Sequence, residues 1–155
     1  MNALRTTTFA TLSSLAVATM ASAQETKIKR ADLPPAVEKT VAEASKGATI
    51  KGFSRETEYG KTSYEVEMVV NGHRKDVAID SQGAIVEVEE EVALSSLPPT
   101  VAAGLNAKTA GGKILKVESL TKNGKLVAYE AKIEASGKRH EIQVGPDGKA
   151  LEREE

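Results

Sequence analysis

Apolar and polar residues alternate strictly in the stretch Tyr129, Ala131, Ile133 and Ala135, with Glu130, Lys132 and Glu134 between them. A period of two predicts an antiparallel strand with one buried and one polar face. Tyr64, Val66, Met68 and Val70 repeat the form against Glu65 and Glu67. Asn71-Gly72 and Ser136-Gly137 then give two-residue hairpin signals leading into Val77-Ala78-Ile79 and Ile142-Gln143-Val144. Turns at residues 80–83 and 146–148 predict two closing strands, Ile85-Val86-Glu87-Val88 and Ala150-Leu151-Glu152. A helical period appears elsewhere: Leu33, Val37, Val41 and Ala44 form one stripe, and Leu97, Val101 and Leu105 another. Asp32 and Ser96 are placed to cap these helices, prolines follow in the first turn, and Gly47 and Gly111 stand where each helix should stop. A less regular strand is expected after each helix, around residues 50–58 and 114–121.

These elements come in the same order twice. Leu33-Pro34-Pro35-Ala36-Val37 returns as Leu97-Pro98-Pro99-Thr100-Val101, and Gly47, Ile50 and Gly60-Lys61 meet Gly111, Ile114 and Gly124-Lys125. After one inserted residue, Tyr64-Glu65, Gly72, Arg74, Gly83 and Glu87 meet Tyr129-Glu130, Gly137, Arg139, Gly148 and Glu152. Prolines and glycines fix backbone geometry, so their shared spacing predicts two copies of one fold. The expected class is α+β: two tandem repeats, residues 24–91 and 92–155, each with one helix packed on a four-stranded antiparallel sheet.

The first 23 residues have a different character. Arg5 precedes an apolar run from Phe9 to Met20, and Ala21-Ser22-Ala23 offers the small residues that a signal peptidase requires. A secretory signal peptide is predicted, with cleavage before Gln24, a periplasmic or secreted product, and no membrane insertion afterwards. The chain has no cysteine, so neither a disulfide framework nor a lipoprotein-type anchor is expected. Arg5 is the one charged residue of this segment, which leaves 20 basic and 22 acidic residues and a net charge of −2 beyond it. That balance argues against nucleic acid as a partner.

The helix opened by Leu33-Pro34-Pro35, followed by Tyr64-Glu65-Val66, Asn71-Gly72 and Asp80-Ser81-Gln82-Gly83, resembles a PepSY-like domain. Leu97-Pro98-Pro99, Tyr129-Glu130, Ser136-Gly137 and Pro146-Asp147-Gly148 are the second set. The tandem layout is similar to beta-lactamase-inhibitor-protein repeats, in which helix-plus-sheet units present a joined concave sheet. The resemblance implies an exported, non-catalytic module that recognises or inhibits a protein or peptide in the cell envelope.

Catalytic chemistry finds little to use. His73 and His140, the two histidines, occupy different positions in the two copies and lie among basic residues, as solvated surface histidines do. No nucleophile elbow, phosphate loop or zinc spacing occurs, so no enzyme activity and no cofactor are expected. The candidate binding surface is the outward row Glu65, Glu67, Glu130, Lys132 and Glu134, the polar surface that both copies build. An alternative is a small-ligand or calcium-type site at Glu87, Glu89, Glu90 and Glu91 or at Glu152, Glu154 and Glu155. Such runs also arise as charged strand edges that discourage edge-to-edge pairing.

Overall fold

The computed structural model describes residues 24–58, 60–153 and 155; the expected signal peptide lies outside them. Among these residues, eight strands form one antiparallel sheet in simple sequence order. They are β1 (Gln24–Ile28), β2 (Thr49–Glu58), β3 (Lys61–Val70), β4 (His73–Asp80), β5 (Ile85–Glu91), β6 (Lys113–Lys122), β7 (Lys125–Ala135) and β8 (Lys138–Val144). The helices α1 (Pro35–Ala44) and α2 (Pro99–Lys108) pack on one face of it.

The single sheet corrects the expectation of two tandem repeats with separate four-stranded sheets. Strand β5, predicted to close the first unit, pairs on both sides. Asp76 faces Glu89 on β4, and Leu120 faces Glu89 on β6. A strand left at an edge would expose a row of unpaired backbone donors and acceptors, and joining the halves removes two such edges. The predicted final strand at residues 150–152 does not form. Instead the chain turns after β8, with Gly145 N–H donating to Lys149 O at 2.8 Å. Glu155 N–H then donates to the Gln143 side chain at 2.9 Å, a contact that lies outside any strand ladder. A strand missing from the expectation, β1, pairs with β2 at the other margin. Each helix therefore lies between two neighbouring strands, α1 between β1 and β2 and α2 between β5 and β6.

The capping expectation also needs correction. Pro34 and Pro98 are the N-cap residues, because a 3-10 turn precedes each helix over Arg30–Asp32 and Leu94–Ser96. Asp32 accepts a hydrogen bond from Lys29 N–H within its turn, and the Ser96 hydroxyl donates to Ala93 O. Both polar side chains thus serve the 3-10 turns and leave the helices uncapped by side chains.

Strand parity was predicted correctly. Ile133 is fully buried and Lys132 exposed. Val66, Met68, Val77 and Ile79 meet Val37 and Val41 beneath α1. Val117, Ala131, Ile133, Ile142 and Val144 meet Val101 and Leu105 beneath α2. Each buried Val, Leu, Ile or Met among them contributes about 1.5–3 kcal/mol. Asn71-Gly72 and Ser136-Gly137 carry positive φ at both residues, as a type I′ hairpin turn demands.

Two turns are wedged directly under the helices. A Cβ added at Gly83 would lie 2.7 Å from Ala36 O on α1, and one at Gly148 would lie 2.1 Å from Thr100 O on α2. The Thr40 hydroxyl of α1 donates to Gly83 O at 2.6 Å, whereas α2 has Gly104 against Gly148.

Candidate binding face

The side of the sheet turned away from the helices is where the charge gathers. Parity places it there: if Val66, Val77, Val88 and Ala131 face the helices, then Glu65, Glu67, Asp76, Glu89 and Glu130 face outward. Cross-strand register then sets acid opposite acid. Glu67 faces Asp76, which faces Glu89; in the adjoining row Glu91 faces Glu118, which faces Glu130. Like charges directly opposite one another are unfavourable for the sheet, because the paired side chains start only about 5 Å apart.

The surroundings sharpen that conflict. Burial raises the Glu65 carboxyl to about 7, with the charges of Asp76 and Glu89 adding to the effect. Burial pushes Glu89 to about 7 as well, helped by Glu118 and Glu130. Asp76 is raised by burial against the opposing pull of Arg74. Glu130 is raised by burial, offset in part by Gln143 Nε2, which donates to it at 2.9 Å. Glu118 is the most enclosed of the group, with 4% of its side chain exposed, and it pairs with Lys116. Arg74 sits 3.4 Å from both Glu67 and Asp76, a loose contact for a guanidinium.

Asp76, Glu89 and Glu118 each offer an oxygen within 4.8 Å of the other two, a spacing that one hard cation could bridge. Asp76 Oδ1 is buried and accepts no hydrogen bond.

Of the residues expected from sequence, Glu65, Glu67 and Glu130 belong to this face. Lys132 lies on the same face but pairs with Glu141 at 3.1 Å, in a basic zone beside the acids. Glu134 stands next to the β7–β8 hairpin opposite Arg139, 3.6 Å away, apart from the acidic rows. The terminal carboxylates disperse: Glu87 pairs with Lys122, Glu90 with Lys75, and Glu91 accepts from Arg74 N–H, while Glu89 enters the close trio; Glu154 lies outside the described residues. Glu152 is exposed. Both histidines are exposed.

Asp76 and Glu118 were not anticipated. Asp76 was legible, because Val77 and Ile79 fix the helix-facing parity of β4 and so put Asp76 on the other side. Glu118 was concealed by bulges at Ile114/Lys116 and Leu120/Thr121, which break the period of two in β6.

No family model matches the chain. No curated protein matches its sequence. Among solved structures, the fold is similar to that of a BLIP-like protein of Bacteroides fragilis, at a TM-score of 0.57 and 20% identity over 77% of this chain and 83% of the other. A proposed periplasmic protein of Bacteroides eggerthii aligns at a TM-score of 0.64 and 16% identity, over 77% of this chain and 86% of that one. A Bacteroides ovatus protein from a family of unknown function aligns at 0.60 and 21% identity, over 78% and 86%. These likenesses establish a BLIP-like fold. Among the described residues no helix is long and apolar enough to cross a membrane.

Proposed function

We propose that the chain is an exported, periplasmic, non-catalytic binding module of PepSY-like type whose acidic sheet face recognises or inhibits a cationic protein or peptide of the cell envelope. The observation that carries this reading is the acid-opposite-acid pairing of Glu67, Asp76 and Glu89 and of Glu91, Glu118 and Glu130. Lysine or arginine side chains laid across those rows would relieve the repulsion and supply the hydrogen bonds that Asp76 Oδ1 lacks. The signal-like residues 1–23 and the descriptions of the BLIP-like and periplasmic neighbours support the location.

The test is capture from envelope extract by the protein and by a variant with Glu65, Glu67 and Glu130 all replaced by Lys. Capture of a defined partner should be lost in the variant and should weaken for the unaltered protein as salt rises, since exposed charge interactions are screened over roughly 10 Å at 0.1 M salt. Undiminished capture by the folded variant would remove this face from consideration.

A second reading, a hard-cation site, is favoured by one observation: Asp76, which has an unpartnered buried oxygen, belongs to the close trio with Glu89 and Glu118. Calcium would then raise the melting temperature, and Asp76→Asn would abolish the rise. A flat response would dispose of it.

A further inference from the structure

Beside the acidic rows lies a cleft of about 630 Å³ with the opposite character. Its position follows from the sheet. Strand β5 ends at Glu91 opposite Glu118, while β6 begins five residues earlier, at Lys113. The margin between β4 and β6 is left open there, and Arg74 enters from the β4 side. A bulge in β6 leaves Leu115 without a partner on β7, and the residue, 42% exposed, lines the cleft. Bulges of this kind re-aim side chains.

The matching bulge in β2 falls between Ile50 and Gly52, where the residue paired after it carries no side chain. In β6 that residue is Lys116, and Lys132 stands opposite it on β7. Two cations therefore face each other across neighbouring strands, in the arrangement that the acids adopt a few ångströms along the same face. Arg74 and Arg139 complete a lining of four permanent cations against one carboxylate, Glu141. Lys132 and Arg139 keep 46% and 79% of their side chains exposed, and Arg139 reaches its nearest acid, Glu134, at 3.6 Å. The guanidinium fork of Arg139, loosely held by Glu134, can donate to a better-placed carboxylate.

We propose that this cleft is a carboxylate subsite that fixes the direction of a basic peptide on the acidic face, with Leu115 contacting the apolar side chain nearest that carboxylate. The proposal rests on the reading of the acidic face given above. It specifies a ligand with cationic side chains along its length and one carboxylate at its end, supplied either by the chain terminus or by an acidic side chain. Electrostatic complementarity of this two-signed kind sets register and orientation more than raw affinity.

The experiment measures binding of three peptides to the purified chain: Lys-Lys-Lys-Leu as the free acid, the same peptide as its C-terminal amide, and the amide of Lys-Lys-Lys-Glu-Leu. The free acid should bind roughly tenfold tighter than its amide, the gain expected of one charge-assisted contact. Lys132→Gln combined with Arg139→Gln should erase that difference. Recovery of affinity by the glutamate-containing amide would identify a side-chain carboxylate as sufficient; no recovery would assign the subsite to a chain terminus. Equal binding of acid and amide would overturn the subsite and leave the acidic-face reading standing. If no peptide binds, acetyl-leucine decides the matter by amide chemical shifts. Changes at Lys116, Lys132 and His140 that vanish in the double variant would uphold the subsite without the acidic face, and their absence would overturn it.

Discussion

Replacing Gly104 by alanine sets two well-understood effects against each other. Alanine is the better helix former by about 1 kcal/mol, so an exposed interior glycine normally gains stability on this exchange. Gly104, however, backs onto the turn that follows β8. Its added Cβ would lie 2.0 Å from Gly148 O and 2.9 Å from Gly148 C, both backbone atoms that cannot rotate aside. To restore even a 3.0 Å contact, α2 and the turn must separate by about 1 Å, and α2 carries Val101 and Leu105, both fully buried in the second core. Overpacking of a closed contact costs about 1–3 kcal/mol, and withdrawal of two buried side chains adds to it. With the propensity gain subtracted, the net loss should be about 2 kcal/mol. Urea unfolding followed by circular dichroism would show it as a lower midpoint at unchanged slope. The exposed neighbour Ala103→Gly calibrates the propensity term and should lose about 1 kcal/mol. A Gly104→Ala variant as stable as the parent, or more so, would refute the close approach of α2 to the β8 turn.

Stability should fall as pH rises through neutrality. Glu65 and Glu89 titrate near 7 in the folded chain against an ordinary value of 4.5, so the folded state holds more protons between these limits. Their contribution is complete below about 4.5 and is lost as pH rises through 7, with its size reduced by solvent screening because both groups stay partly exposed. The urea midpoint should be higher at pH 5 than at pH 8, and Glu65→Gln with Glu89→Gln should flatten the dependence; a midpoint that rises with pH would contradict the crowding of these acids. Ile133→Ala, at a fully buried position beneath α2, should cost about 2–5 kcal/mol by the same unfolding assay, and a loss below 1 kcal/mol would place Ile133 outside the core.

The local elements were readable because each rests on residues with a narrow physical meaning. Period-two alternation put Ile133 inside and Lys132 outside, and Asn71-Gly72 and Ser136-Gly137 could turn the chain in few other ways. Assembly was harder to read. Which strand pairs with which depends on backbone groups that every residue carries, so nothing in Glu87-Val88-Glu89 announces that β5 will bond on both sides. The short β1, with Glu25 and Lys27 beside Thr26, lacks the apolar run that would mark it as a strand. The N-cap error has a similar source: Asp32 and Ser96 satisfy the capping rule equally well one turn earlier, in 3-10 geometry. On the acidic sheet face, Glu65, Glu67 and Glu130 followed from parity. The company they keep came from register across β4, β5 and β6, which the bulges in β6 had shifted out of step.

The double pairing of β5 also governs how the molecule comes apart. A strand bonded on both flanks releases its amides only when both neighbours let go, so the two helix-backed cores cannot melt one after the other without stripping a partner from the survivor. Amide hydrogens in the centre of β5 should therefore exchange with solvent only through whole-molecule opening, and those on the outer flanks of β1 and β8 through local fraying. A protease that cut between Val92 and Ser96 would leave the ladder between β5 and β6 holding the two pieces together, and the nicked chain would remain one folding unit.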